Sequence, residues 1–194
     1  MASLVLKMSM SLDGCIAPPD RRTGWEAAGR SPDSTSWVLE TVSNADLHLV
    51  GAETYASWAG FWPGAAGPFA KPMNAIPKVV FSHSLKSAGW AETTIASGDL
   101  IDEVTRLKQE RSDGYLLAQG GARFARSLVQ TGLIDEYRLV VHPVVLGAGE
   151  RLFTAPLTLE PISTTAFSGG AVAHVFTAHP GRVATTTAEQ RSGR

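Results

Sequence analysis

One stretch constrains the fold more than any other: YLLAQGGARFARSLVQTGLIDEYRLVVHPVVLGAG, Tyr115 to Gly149. An apolar run, Tyr115–Ala118, meets a pair of glycines. A helical pattern follows over Ala122–Gln130, then a second apolar run over Glu136–His142, ending in Pro143–Gly149. Strand, helix and strand in that order read as a crossover unit, which joins parallel neighbours and buries both faces of their sheet.

The same alternation runs through the rest of the chain. Leu4–Met8 (LVLKM) reads as a buried first strand, with Ser11–Gly14 (SLDG) as its exit turn. Residues 15 to 31 are rich in Pro, Gly and Arg and read as a long loop. Ser31 or Asp33 is placed to cap a helix through Trp37, Val38, Leu39 and Val42. Leu47–Val50 is a short strand, Glu53–Trp58 a short helix, and residues 59 to 77 a second Gly- and Pro-rich loop. Lys78–Ser82 and Thr93–Ala96 read as strands. Asp99 opens a helix through Leu107, with Ile101, Val104 and Leu107 on one face. Leu157–Phe167 and Ala171–Ala178 alternate as an antiparallel hairpin across Ser168–Gly170. The prediction is a mostly parallel α/β sheet with antiparallel C-terminal edge strands, in a single domain over residues 1–179. Residues 180–194 have almost no large apolar side chains and read as a frayed tail.

Composition narrows the function classes. With 17 basic and 18 acidic residues the formal charge is −1, which argues against a nucleic-acid or anionic-membrane surface. Only Cys15 carries a thiol, so no intrachain disulfide forms and the Cys-x-x-Cys pair of a zinc deaminase is missing. The five histidines lack metal spacing, and no metal is expected. The N-terminus lacks the basic start and long apolar run of a signal peptide, and no run approaches membrane-spanning length. The expectation is a cytoplasmic protein.

A strand that ends in Gly-Gly and opens a helix is suited to a phosphate. Backbone N–H groups there are unpaired, the helix dipole favours an anion, and glycines lack the Cβ atoms that would block one. Gly120-Gly121-Ala122-Arg123 is not Gly-x-Gly-x-x-Gly, and a plain tight turn is the other reading. Two further strand ends resemble it. Gly51 precedes a helix with Thr54 and Tyr55 in its first turns, and Ser82 ends KVVFS. In open α/β sheets, ligands bind beyond the carboxyl ends of the strands.

Together, KMSMSLDG, VGAETYASW, KVVFS and GGARFARSLVQTGLIDEYRLVVHPVVLGAGERLF resemble the dihydrofolate reductase-like superfamily, and within it the reductase domain of riboflavin biosynthesis and its stand-alone relatives. The resemblance runs from Leu4 to about Ala178. It implies a three-layer sandwich and NADPH held by Gly51, Thr54 and Tyr55, by Ser82, and by Gly120, Gly121, Ala122 and Arg123. It also implies a cis Gly120–Gly121 peptide. Ala52 stands where dihydrofolate reductases often place an arginine near the 2′-phosphate, which leaves NADPH over NADH open.

A reductase must also orient the acceptor and supply a proton. Asp13, Asp33 and Glu26 are the candidate carboxyls, with Asp13 placed best at the end of the first strand; an ordinary Asp-Gly turn is the alternative. Trp25 and Trp62 suit a flat heterocycle, or else anchor loops. Lys7 faces a substrate anion or reaches solvent. The reading is an NADPH-dependent reductase of a small pyrimidine- or pterin-like heterocycle. Its rivals are a nucleotide-binding module without turnover and a structural or regulatory dimer. A homodimer is expected, because Glu136–His142 and Ala171–Ala178 fall where the resemblance puts a sheet edge.

Overall fold

A computed structural model describes residues 1–178; the tail expected to fray lies outside the described residues. The chain runs β1 (Ser3–Ser11), β2 (Cys15–Ala17), α1 (Pro32–Ser43), β3 (Leu47–Gly51), α2 (Ala52–Phe61), α3 (Ala70–Ala75), β4 (Lys78–Phe81), β5 (Thr93–Ala96), α4 (Leu100–Gln109), β6 (Tyr115–Gln119), α5 (Ala122–Thr131), β7 (Glu136–His142), β8 (Glu150–Arg151), β9 (Leu159–Ala166) and β10 (Val172–Ala178). Eight strands form one sheet in the order β5-β4-β3-β6-β1-β7-β10-β9. From β5 to β7 every pairing is parallel, and β7–β10 and β10–β9 are antiparallel. The edge strands are β5 and β9; β7 and β10, expected at the edge, are paired on both sides.

Each face of the sheet buries its own core. Leu4, Leu6 and Met8 of β1 point to one face, where Val104 and Leu107 of α4 and Ala125 and Leu128 of α5 cover them. Val5 points the other way, to a core shared with Val42 of α1, Tyr55 of α2 and Met73 of α3. The result is a helix–sheet–helix sandwich. Side chains alternate along a strand, so the face of Val5 continues at the carboxyl end of β1 as Lys7 and Ser9, half-buried and polar.

Local chemistry explains most element ends. Ser31 caps α1 in a reciprocal box with Ser34, and Pro32 takes the first helical turn, where its missing N–H costs nothing. Asp99 caps α4 by accepting from the Ile101 and Asp102 amides. Ile101 itself is 49% exposed, so the apolar face of α4 is narrower than its spacing predicts.

Both long loops contain structure that the Pro and Gly content masks. In the first, β2 pairs with the two-residue β8. In the second, α3 is held from outside. Lys78, 1% exposed, donates from Nζ to the carbonyls of Met73 (3.0 Å), Asn74 (3.1 Å) and Ile76 (2.7 Å), and lies 4.4 Å from the centre of the Trp90 ring. One ammonium thus satisfies carbonyls that the end of a short helix leaves orphaned. Lys78→Met keeps the aliphatic bulk and strands these acceptors. It is expected to cost about 2–4 kcal/mol, within the range for buried groups left unpaired, read as a lowered midpoint in urea unfolding.

Candidate active site

The carboxyl ends of the parallel strands open onto two cavities. The first, about 460 Å³, is bounded by Lys7 and Met8 of β1, Thr54 and Trp58 of α2, and the turn Gly120–Arg123 between β6 and α5. The second, about 330 Å³, lies toward α1 and α3, against Ser34, Val38, Trp62, Met73 and His142. Lys7, Ser9, Glu26, Trp58 and Gln119 border both. Parallel register places Lys7 opposite Gln119, which brings these two polar side chains to the shared wall from adjacent strands.

The Gly-Gly turn has the geometry an anion site needs. Gly120 and Gly121 have φ of +70° and +71°, a region that disfavours side chains. A Cβ on Gly121 would stand 2.4 Å from the Thr54 hydroxyl oxygen. No side chain caps the start of α5, so its first amides keep their hydrogen-bonding capacity for a ligand. Arg123 is exposed at the same turn. The Gly120–Gly121 peptide is not cis, because no described residue has a cis bond; that expectation is corrected.

Across the first cavity, Arg21 reaches Glu53 at the start of α2 (3.2 Å) and Glu150 of β8 (2.9 Å), and Arg126 of α5 approaches Glu150 at 3.4 Å. Arg21 itself has a φ of +55°, uncommon for a residue with a side chain.

Several expected site residues lie elsewhere. Asp13 borders neither cavity. Its carboxylate accepts from the Ser11 hydroxyl (2.6 Å) and from the amides of Leu146 (3.1 Å) and Gly147 (2.8 Å), tying the β1 exit turn to the loop after β7. The Ser11 hydroxyl, then the Leu146 amide, lower its pKa to about 2, so it stays an anion and is no proton donor near neutrality. Asp33 accepts from Ser31, from the Ser34 amide, and from the amide and hydroxyl of Ser168. It links the start of α1 to the β9–β10 turn. Tyr55 is 5% exposed, tilted against Trp90, and accepts from the Trp90 amide through its hydroxyl oxygen. Ser82 accepts from the amides of Ser84 and Leu85 and closes its own turn. Gly51 is explained by packing, because a Cβ there would lie 2.8 Å from that of Phe124.

The other expected residues converge on the cavities. Thr54, Gly120, Gly121, Ala122, Arg123 and Trp25 border the first, Trp62 the second, and Lys7 and Glu26 both. Burial lowers the Lys7 pKa to about 8, with Glu26 opposing and Arg30 adding to the shift. Among the described residues Lys7 makes no side-chain hydrogen bond or ion pair.

His142 is not among the site residues expected from the sequence. It ends β7 at the second cavity, with Nδ1 2.9 Å from the Ala28 carbonyl and its ring edge-on to Trp25. The signal for it lay in its position, as the last residue of a predicted strand at the carboxyl end of the sheet.

The family model described as the RibD C-terminal domain matches residues 2–173. The chain belongs to that family. Two Bacillus subtilis (strain 168) relatives are similar: the uncharacterized protein YyaP, 26% identical with 89% of this chain and 93% of YyaP covered, and the uncharacterized protein YwjB, 31% identical with 77% and 81% covered. Among solved structures, a putative riboflavin biosynthesis protein from Shewanella sp. PV-4 aligns with a TM-score of 0.72 at 20% identity, covering 92% of this chain and 99% of that one. The Thermotoga maritima diaminohydroxyphosphoribosylaminopyrimidine deaminase/5-amino-6-(5-phosphoribosylamino)uracil reductase aligns with a TM-score of 0.67 at 16% identity, covering 92% and 57%. These neighbours share the dihydrofolate reductase-like α/β fold that the resemblance implies.

The placement of Asp13 generates a prediction about stability. Its pKa lies below the ordinary 3.8, so its contribution is present above that value and disappears as the pH falls through about 2. Asp13→Asn should remove the part of the acid-unfolding slope between about 3.8 and 2, measured by circular dichroism at fixed temperature.

Proposed function

We propose that this chain is an NADPH-dependent reductase of a small, flat, pyrimidine- or pterin-like heterocycle, working as a homodimer in the reducing cytoplasm. The observation that carries the reading is the pair of cavities meeting at one polar wall. The first cavity has the glycine turn, uncapped helix start and exposed Arg123 that suit a pyrophosphate. The second has the aromatic and aliphatic sides of a small-molecule pocket with a few convergent polar groups.

A bound reduced dinucleotide would supply the hydride. Gly120 and Gly121 would leave room for its phosphates, with Thr54 and Arg123 placed to hold them. Trp58 and Gln119 belong to the wall where the two occupants meet. Lys7, on the same wall, holds a proton that it can give to the acceptor atom left electron-rich by hydride addition; water then restores the ammonium. An ammonium whose pKa lies near the working pH is suited to that role.

Isothermal titration calorimetry tests the first cavity directly. NADPH should bind the wild type, and Gly121→Val, checked for folding, should weaken it more than tenfold (~1.4 kcal/mol). Unchanged affinity in the folded variant would remove the phosphates from this turn. Binding without oxidation of NADPH by any pyrimidine, pterin or quinone would favour a binding module, and no dinucleotide binding would favour a structural dimer.

The proton donor has its own signature. Lys7 loses its proton as the pH rises through about 8. kcat/KM should therefore fall above that pH, and Lys7→Met should reduce kcat by roughly 10²–10⁴-fold, the usual value of general acid catalysis. A flat alkaline limb in the wild type would discard Lys7 as the donor.

The dimer would use β9, whose outer edge has no partner strand among the described residues and which exposes Ile162 (53%). Light scattering at micromolar concentration should give twice the chain mass, and Ile162→Lys should shift it toward the monomer.

A further inference from the structure

Arg21, Glu53 and Glu150 line the first cavity from three separate places: the loop after β2, the start of α2, and β8. One guanidinium ties them together. Nη1 of Arg21 meets Glu53 at 3.2 Å, and Nη2 meets Glu150 at 2.9 Å. Glu150 also faces Arg126 of α5, at 3.4 Å. These charges therefore run from α2 to α5, the helix that begins at the glycine turn. Glu53 is itself close to that turn. It precedes Thr54, whose hydroxyl oxygen would stand 2.4 Å from a Cβ on Gly121.

The sequence presents the arginine from a stiff support. Pro18-Pro19-Asp20-Arg21 closes a turn in which the Arg21 amide donates to the Pro18 carbonyl at 3.0 Å, and the prolines fix two of its φ angles. Just before it, Ala17 of β2 pairs with Glu150. The two ion pairs of Arg21 are unequal. The Glu150 side chain is 22% exposed and shared between two arginines. The Glu53 side chain is 69% exposed, and Arg21 is its one ion-pair partner among the described residues. An exposed ion pair in water is weak and is readily replaced. A guanidinium fork fits the oxygens of a phosphate as well as those of a carboxylate.

We propose that Glu53 competes with an anionic occupant of the first cavity for Arg21. On binding, a phosphate oxygen takes the place of the Glu53 carboxylate at Nη1, while Glu150 keeps its hold on Nη2. Arg21 is then a phosphate-binding residue, and Glu53 sets the affinity by the strength of its competition. This rests on the reading of the first cavity as a phosphate site. It goes further by assigning the phosphate a cation outside the glycine turn, and that cation a rival partner. The displaced carboxylate returns to water, where it is already largely exposed. A carboxylate beside an anion site also repels the anion through space, but that effect does not pass through Arg21. A double-mutant cycle separates the two.

Isothermal titration calorimetry of the full chain with inorganic pyrophosphate, at one ionic strength, supplies the four corners of the cycle. Arg21→Met should weaken binding about fivefold or more, as expected for loss of a charge-assisted hydrogen bond. Glu53→Gln should tighten it about threefold or more in the wild type and leave it unchanged in the Arg21→Met background. Glu53→Ala and Arg21→Gln, second removals of the same charges, should repeat these results should either first variant misfold. No pyrophosphate binding by the wild type, unchanged affinity in either folded single variant, or a gain from Glu53→Gln that survives without Arg21 would overturn the proposal. Failure of NADPH to bind, with the pyrophosphate cycle coupled as expected, would remove the dinucleotide and leave the exchange at Arg21 standing. NADPH binding that Gly121→Val weakens, with an uncoupled cycle, would do the reverse.

Discussion

The parallel pairing of β1 between β6 and β7 is the constraint on which the rest depends. β1 pairs with β6 through Ser3–Lys7 and with β7 through Val5–Ser11. The two offset registers make β1 overrun β6 at its carboxyl end. Lys7 therefore sits at the last position paired with β6 and Ser9 beyond it, both still fixed on the β7 side. A one-residue slip would turn Lys7 into the α4–α5 core and expose Leu6 or Met8. The burial of Leu4 and Leu6, both fully covered, excludes that slip. The placement of the polar wall thus follows from the packing of the opposite face.

Much of this was legible in the sequence because the signals are local. Apolar runs followed by helical spacing mark β1, β3, β6 and α5, and the caps at Ser31 and Asp99 are readable from residue type. The glycine turn is where backbone conformation dictates the residue, and Gly120 and Gly121 stand at the expected strand–helix turn, though not with the expected cis peptide. What escaped the reading depends on distant partners. Helix α3 hides in a Pro- and Gly-rich segment because its carbonyls are satisfied by Lys78, outside the helix. β8 has only two residues and exists through its pairing with β2. That β9 and not β10 ends the sheet follows from strand order, which periodicity does not encode.

The site residues divide in the same way. Asp13 and Asp33 have the composition of catalytic carboxylates, yet each carboxylate is engaged by hydroxyls and amides of other segments. Hydroxyl and amide donors around a carboxylate stabilise its charge, the opposite of what an acid near neutrality requires. Lys7 and Glu26 border both cavities because strand phase and chain order bring them to the cleft. His142 was not singled out, since neither the Ala28 carbonyl nor Trp25 is near it in sequence. A hydrogen bond spanning more than one hundred residues has no local signature.

The shared wall of the two cavities has a thermodynamic consequence. Lys7, Ser9, Glu26, Trp58 and Gln119 face both spaces, so an occupant of either changes the solvation and freedom of groups that the other must meet. Whatever free energy couples the two occupants is reciprocal: the factor by which the first alters affinity for the second equals the factor by which the second alters affinity for the first. In such an architecture a preferred order of addition is a matter of relative concentrations and rates. Two occupants sharing that wall would have affinities that depend on one another.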